Sequence, residues 1–409
     1  MRGAWLSISF VALVACGDDA AQGSGSSDTT GAGTSGSESA TTTLTTSATA
    51  SMTADESGSA SASSDSGPDE TTGGTSIDPD TTGTSSDDDN GTGETGVFET
   101  CFADDFVNGR TIGPDYDQFN PTIGSHCLGT NHQDISGIER VVFVGDSITV
   151  GTPPTFSADY YRSRLADALA AAFGLEYGNG GQSGDLWKLV NVFDGTSVTH
   201  FSGDFASCAK WGARTDDLLQ DNSQLEECFP ADTRELVNLV VMTAGGNDLS
   251  SLAQAAIDGA TEEMLWEQIE GAVQLQREAV EWLKDPERFP NGTHVVIANL
   301  YEFTDGTGEV MSCDVSGLAG FDQPVPAPDQ LAEMIVWANE QYMAIATETG
   351  ADMIFLLESF CGHGFNADDP TAPCYRGPGA ETWFDLTCIH PNPTGHEEIA
   401  NMFLAVVGE

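Results

Sequence analysis

Basic residues are scarce in this chain. Lys and Arg total 13 against 64 Asp and Glu, a formal charge of −51 over 409 residues. Phosphate recognition needs clustered Lys and Arg, so this balance argues against nucleic acid as a partner. Long apolar runs are missing too. The amino-terminal one, Ala4 to Val14, is too short to span a bilayer. There is no Cys-x-x-Cys pair, which removes the usual zinc framework, and no metal site is expected. Gly-x-Ser-x-Gly is also absent, which argues against the nucleophile elbow of one large class of serine hydrolases.

What is present begins with a leader. Arg2 precedes the Ala4–Val14 run, the shape of a signal-peptide core over residues 1–15. The run ends Leu13-Val14-Ala15-Cys16, which resembles a bacterial lipobox and predicts lipidation at Cys16. Residues 16–97 are then almost all Ser, Thr, Gly, Ala and Asp. Such a segment buries too little apolar surface to offset its ordering entropy, so it reads as an acidic, flexible stalk. The expectation is an exported bacterial lipoprotein on the cell surface or the periplasmic face of the outer membrane. It would touch the membrane only through its lipid and would be a monomer.

Setting Cys16 aside, eight cysteines remain: Cys101, Cys127, Cys208, Cys228, Cys313, Cys361, Cys374 and Cys388. An even number in an exported chain implies disulfides. Neighbours in sequence suggest Cys101 with Cys127 and Cys208 with Cys228.

From 98 to 409 the composition is that of a folded domain. Strand-like runs recur at Arg140–Val144, Leu175–Tyr177, Leu236–Thr243, His294–Leu300 and Met353–Leu357. Helical spacing marks Ala158–Phe173, Thr261–Leu283, Asp329–Thr349 and Thr394–Val407. The alternation predicts an α/β three-layer sandwich, a central mostly parallel sheet with helices on both faces. Phe193–Pro230, Glu302–Pro328 and Glu358–Phe384 fit neither pattern and read as disulfide-pinned insertions near strand ends, placed to wall a pocket. Trp187, Trp211, Phe303 and Trp383 are candidates to line it.

Four short motifs sit at or just beyond predicted strand ends or before the last helix. They are Gly145-Asp146-Ser147, Asn179-Gly180-Gly181-Gln182-Ser183-Gly184-Asp185, Gly245-Gly246-Asn247-Asp248 and His390-Pro391-Asn392-Pro393-Thr394-Gly395-His396. Open α/β sheets place ligands at the carboxyl ends of their strands. Each residue also has a plainer use: Ser147 as a helix cap, Gly181 and Asn247 in turns, His390 at a helix entry. In their order the four motifs resemble the SGNH (GDSL) hydrolase family, whose flavodoxin-like fold matches the architecture expected here. The Asn299-Leu300-Tyr301-Glu302 and Asp305–Gly308 stretches give a looser likeness to its larger secreted esterases and lipases.

The resemblance implies a serine ester hydrolase, an esterase or lipase working through an acyl-enzyme without a cofactor, on a small-molecule, lipid or polysaccharide ester. Ser147 would be the nucleophile and His390 the base. Ser147 N–H, Gly181 N–H and the Asn247 amide would form the oxyanion hole. The family pattern places Asp three residues before the His, where this chain has Thr387. Asp385, five residues upstream, or the backbone carbonyl of Thr387 are the two candidates to orient the imidazole. An acyltransferase, and a surface binding protein that kept the fold without turnover, are the alternatives.

Overall fold

A computed structural model describes residues 96–108, 113–178, 186–220 and 223–409. The leader at 1–15, Cys16, the stalk as far as residue 95 and the Asn179–Asp185 motif with Gly181 lie outside the described residues.

The strands are β1 (Arg140–Gly145), β2 (Val190–Asn191), β3 (Thr196–Ser197), β4 (Phe201–Ser202), β5 (Phe205–Ser207), β6 (Asn238–Thr243), β7 (Thr293–Ala298) and β8 (Asp352–Ile354). Six of them form the main sheet in the order β4-β5-β1-β6-β7-β8, parallel throughout except that β4 runs antiparallel to β5. β2 and β3 make a separate hairpin. In β1 the side chains of Val141, Phe143 and their neighbours are wholly buried on both faces, as a parallel central strand requires. Burying each such side chain contributes about 1.5–3 kcal/mol.

The helices are α1 (Val97–Cys101), α2 (Ser147–Val150), α3 (Tyr161–Phe173), α4 (Gln224–Cys228), α5 (Gly246–Ile257), α6 (Glu262–Lys284), α7 (Pro328–Thr349), α8 (Leu356–Phe360) and α9 (Pro393–Gly408). α3 and α9 pack together, as do α5, α6 and α7. α6 shows how the sequence sets its ends. Thr261 caps it by accepting from the Met264 N–H, Glu262 and Glu263 occupy its first turn and Lys284 its last. Its buried stripe runs Leu265, Ile269, Val273, Val280 and Leu283. α9 begins with the Asn392 side chain accepting from Gly395 N–H, and Pro393 fills its first turn.

Leu175–Tyr177 is not a strand. The place beside β1 belongs to β5, inside the Phe193–Pro230 stretch that the sequence marks as an insertion. Leu175–Gly178 instead runs past the β4–β5 turn, held largely by other means. Tyr177 stacks on Phe205 at 4.6 Å, Glu176 N–H donates to Asp204 Oδ2 at 2.8 Å, and Gly178 N–H donates to Ser202 Oγ at 3.2 Å. The three residues of β5, Phe-Ala-Ser, lack the β-branched run that marks a strand.

Four disulfides tie the domain: Cys101–Cys127, Cys208–Cys228, Cys313–Cys388 and Cys361–Cys374. The first two are the pairs that sequence proximity suggests. Cys313–Cys388 spans 75 residues and joins the Glu302–Pro328 insertion to the loop carrying His390.

Candidate active site

β1 and β6 are level at their carboxyl ends, with Gly145 paired to Thr243. Gly145 must be glycine, because its φ is +125° and a Cβ there would lie 1.7 Å from the Thr243 carbonyl oxygen. The chain then turns directly into α2. Asp146, not Ser147, is the cap, since its Oδ1 accepts from Ile148 N–H at 2.9 Å. Ser147 is thereby released from capping and becomes the first helical residue. After β6, Gly245 at φ +104° makes the matching turn into α5, where a Cβ would meet the Tyr342 hydroxyl at 2.5 Å. Asn247 follows in the first turn of α5.

Ser147 Oγ lies 2.9 Å from His390 Nε2. On the other side of the ring, His390 Nδ1 lies 2.6 Å from Thr387 Oγ1, and Thr387 Oγ1 donates to Asp385 Oδ1 at 2.5 Å. Thr387 N–H donates to the same carboxylate oxygen at 2.7 Å. The single hydroxyl proton of Thr387 is thus committed to Asp385, so Nδ1 carries the imidazole proton and Nε2 is free to accept from serine. Neither sequence candidate touches the ring directly. Asp385 stands one hydroxyl away, and it is the Thr387 hydroxyl that meets Nδ1.

Burial lowers the His390 pKa from 6.5 to about 4, so the imidazole is neutral at ordinary pH. Burial also raises the Asp385 pKa, against the two Thr387 hydrogen bonds that favour its charged form. The His390 loop is fixed from several sides. Tyr301 Oη donates to Ile389 O at 2.6 Å, Asp385 N–H donates to His390 O at 2.8 Å, and Cys388, at φ +71°, is held by its disulfide.

Asn247 Nδ2 donates to Ala213 O at 2.8 Å, and the side chain lines the same cleft as Ser147 and His390. One amide hydrogen is used in that bond, which leaves the other for the cleft. Asp248 anchors the opposite strand-end loop by accepting from the Thr215 N–H and hydroxyl at 3.1 and 3.2 Å. Burial raises the Asp248 pKa to about 6 and that of Asp146 to about 7. His396 is a core residue, fully buried against Tyr160 and Tyr161, with Nδ1 accepting from Tyr161 N–H at 3.3 Å.

The cleft has a cavity volume of about 100 Å³ and opens to solvent. Of the four aromatic candidates only Phe303 lines it. Trp187 is wholly buried under the Arg162 guanidinium, Trp211 donates to Gly151 O, and Trp383 stacks on His363. Three contributors escaped the sequence reading. The Thr387 hydroxyl and Tyr301 are two. The third, Arg162, is buried in α3 and donates to Trp187 O at 2.8 Å and Ser197 Oγ at 2.7 Å, pinning the segment after Asp185. Only the Thr-for-Asp departure from the family pattern offered a signal for any of them.

Solved structures similar to the chain include the following three, each at low identity. An extracellular lipase of Streptomyces rimosus shares 18% identity over 65% of this chain and 99% of its own, with a TM-score of 0.36. A gut microbial diltiazem-metabolizing enzyme shares 14% over 66% of this chain and 47% of its own, with a TM-score of 0.38. An acetyl xylan esterase shares 14% over 65% and 98%, with a TM-score of 0.37. No match is found among curated proteins. Residues 143–398, from the end of β1 into α9, match the family model of GDSL-like lipases and acylhydrolases, and the chain belongs to that family of carboxylic ester hydrolases.

Proposed function

We propose that the protein hydrolyses carboxylic esters through an acyl-enzyme on Ser147. The 2.9 Å approach of His390 Nε2 to Ser147 Oγ, at the carboxyl end of a parallel strand, carries this reading. Ser147 Oγ attacks the ester carbonyl while Nε2 takes its proton. The resulting imidazolium keeps its Nδ1–H on Thr387 Oγ1, which remains hydrogen-bonded to the Asp385 carboxylate. The oxyanion is held by the Asn247 amide, the Ser147 N–H and the Gly181 N–H, the last from outside the described residues. One such donor is worth about 3 kcal/mol in the transition state. His390 returns its proton to the departing alkoxide, and water attacks the acyl-enzyme by the reverse proton path.

The same reading divides the chain into a leader at 1–15, a lipidated Cys16 with a stalk to residue 97, and the hydrolase at 98–409. Export is supported by the four disulfides, which persist in oxidising compartments. The test is hydrolysis of a p-nitrophenyl ester by the full chain beside Ser147→Ala, with fluorophosphonate labelling mapped by mass spectrometry. Turnover and label that both vanish in the variant are expected; undiminished turnover in Ser147→Ala refutes the assignment. Release from the membrane fraction in Cys16→Ser checks the anchor.

A further inference from the structure

We propose that the cleft beyond Ser147 is a pocket for an aliphatic acyl chain of several carbons, so the preferred substrates are medium-chain esters rather than acetyl esters. The proposal rests on the Ser147 reading for its direction and on the cleft's own chemistry for its content.

The walls come from three elements. α5 presents Leu249 and Ala253, one turn apart and following Asn247 along the same helix. α7 presents Leu331 and Ile335, again one turn apart. The Glu302–Pro328 insertion closes the space with Val310 and Phe321. All six are apolar, and each is at least nine-tenths buried.

The polar lining groups are already occupied. Asn299 donates to Tyr116 Oη at 2.9 Å and Glu358 Oε2 at 3.0 Å, and its Oδ1 accepts from Leu357 N–H at 2.8 Å. The Glu302 oxygens accept from the N–H groups of Thr304 and Gly306 at 2.5 and 2.7 Å. Ser250 Oγ donates to Gly246 O at 3.2 Å, and Thr304 Oγ1 accepts from Gly308 N–H at 2.8 Å. Both backbone groups of Leu300 are taken by the Asn339 side chain. Among the described lining residues, hydrogen-bonding capacity for a substrate is concentrated at Ser147, His390 and Asn247. A sugar hydroxyl in the interior would lose its water partners without replacement, whereas a methylene gains.

Orientation follows from the proton path. The leaving oxygen must face His390 Nε2 to receive its proton. The carbonyl oxygen faces Asn247, and the helix that carries Asn247 continues as the apolar wall. The chain lying along Leu249 and Ala253 is therefore the acyl part. The Cys313–Cys388 disulfide joins this wall to the His390 loop, which keeps pocket and base in one frame.

The experiment has two readouts on the full-length protein. The first is binding of neutral, unreactive methyl ketones, from 2-butanone to 2-decanone, to Ser147→Ala by calorimetry. Affinity should rise three- to fourfold per methylene until the pocket is full. Adding Ala253→Phe should weaken 2-octanone at least tenfold, and Phe321→Ala should move the optimum to a longer ketone. Affinity that ignores chain length, or that neither variant changes, overturns the pocket whether or not esters are hydrolysed. The second readout is kcat/KM across p-nitrophenyl acetate, butyrate, hexanoate and octanoate. The octanoate-to-acetate ratio should exceed tenfold and fall at least tenfold in Ala253→Phe. An acetate optimum overturns the proposal. Chain-length-dependent ketone binding alongside turnover that persists in Ser147→Ala upholds the pocket and overturns the serine assignment alone.

Discussion

Replacing Thr387 by Val removes one hydroxyl and little volume, and it breaks the side-chain chain from His390 through Thr387 to Asp385. The His390 Nδ1 contact at 2.6 Å and the Asp385 Oδ1 contact at 2.5 Å are lost together. A half-buried imidazole N–H is then left without an acceptor, which costs about 1–3 kcal/mol, and the cost grows when the ring becomes cationic in the transition state. At 1.4 kcal/mol per decade this predicts a fall in kcat of roughly 10- to 100-fold with KM nearly unchanged. Asp385→Asn should cost less, below about tenfold, because the amide oxygen can still accept from the Thr387 hydroxyl. Thr387→Asp restores the spacing of the family pattern. It sets a carboxylate against the ring, so it should retain turnover and raise the pKa of the acid limb of kcat/KM. The assay is stopped-flow burst kinetics on a p-nitrophenyl ester across pH 3.5–8, with melting curves to show that each variant is folded. If Thr387→Val is silent, the hydroxyl is idle. If Asp385→Asn alone loses about 10⁴-fold, as loss of a true triad acid does, the carboxylate reaches the histidine directly and the relay is wrong.

Three further outcomes are expected. The acid limb of kcat/KM should fall near pH 4 rather than 6.5, because burial holds His390 neutral down to about 4; a limb at 6–7 in the wild type contradicts the buried base. Asp146 has its pKa raised from 3.8 to about 7, so the folded state holds this proton longer than the unfolded chain and stability is lost as pH rises through that window. Asp146→Asn should therefore gain in melting temperature relative to wild type between pH 4 and 7, at most about 1.4 kcal/mol per pH unit, and no growth of the difference with pH refutes it. Replacing Cys313 and Cys388 by Ser opens a 75-residue loop and should cost about 4 kcal/mol in denaturant titrations, with kcat reduced as well; a variant with wild-type kcat would show that the loop holds without the bond.

The sequence made the central sheet legible where strands are continuous, apolar and rich in valine, as in Val141–Val144 and Leu239–Val241. It marks Leu175–Tyr177 as a strand and Phe205–Ser207 as part of an insertion, because which segment pairs with β1 is decided by tertiary contacts. Leu175–Tyr177 carries the local pattern, yet Phe205–Ser207 wins the ladder by backing β1 directly while β4 closes its other edge. The helices at Glu262–Lys284 and Pro328–Thr349 fall within a residue of their periodic patterns. Ser147 and His390 were legible because their motifs stand at strand and helix ends. Thr387 was not, since a hydroxyl relay needs the turn in which Cys388 adopts positive φ and brings residues 385 and 387 onto one side of the histidine. Tyr301 and Arg162 act largely through backbone carbonyls, which leave no trace in a motif.

Threonine in place of aspartate changes more than one contact. A carboxylate against Nδ1 favours the imidazolium in the resting enzyme as well as in the transition state, and so raises the pH at which the base is lost. A hydroxyl accepts the same hydrogen bond without that charge at contact distance. Here the nearest carboxylate stands one residue behind it and is itself resisted by burial. On the proposed assignment, the imidazole is a weaker base at pH 7 but remains available in acid to about pH 4. The 2.5 Å bond from Thr387 to Asp385 passes on part of that carboxylate's stabilisation of the cationic ring, in the resting enzyme and the transition state alike, from one hydroxyl further away. The relay thus stabilises the charged ring less than a contact carboxylate would. For that reason Thr387→Asp should move the acid limb toward neutral pH while leaving Ser147 and the cleft walls where they are.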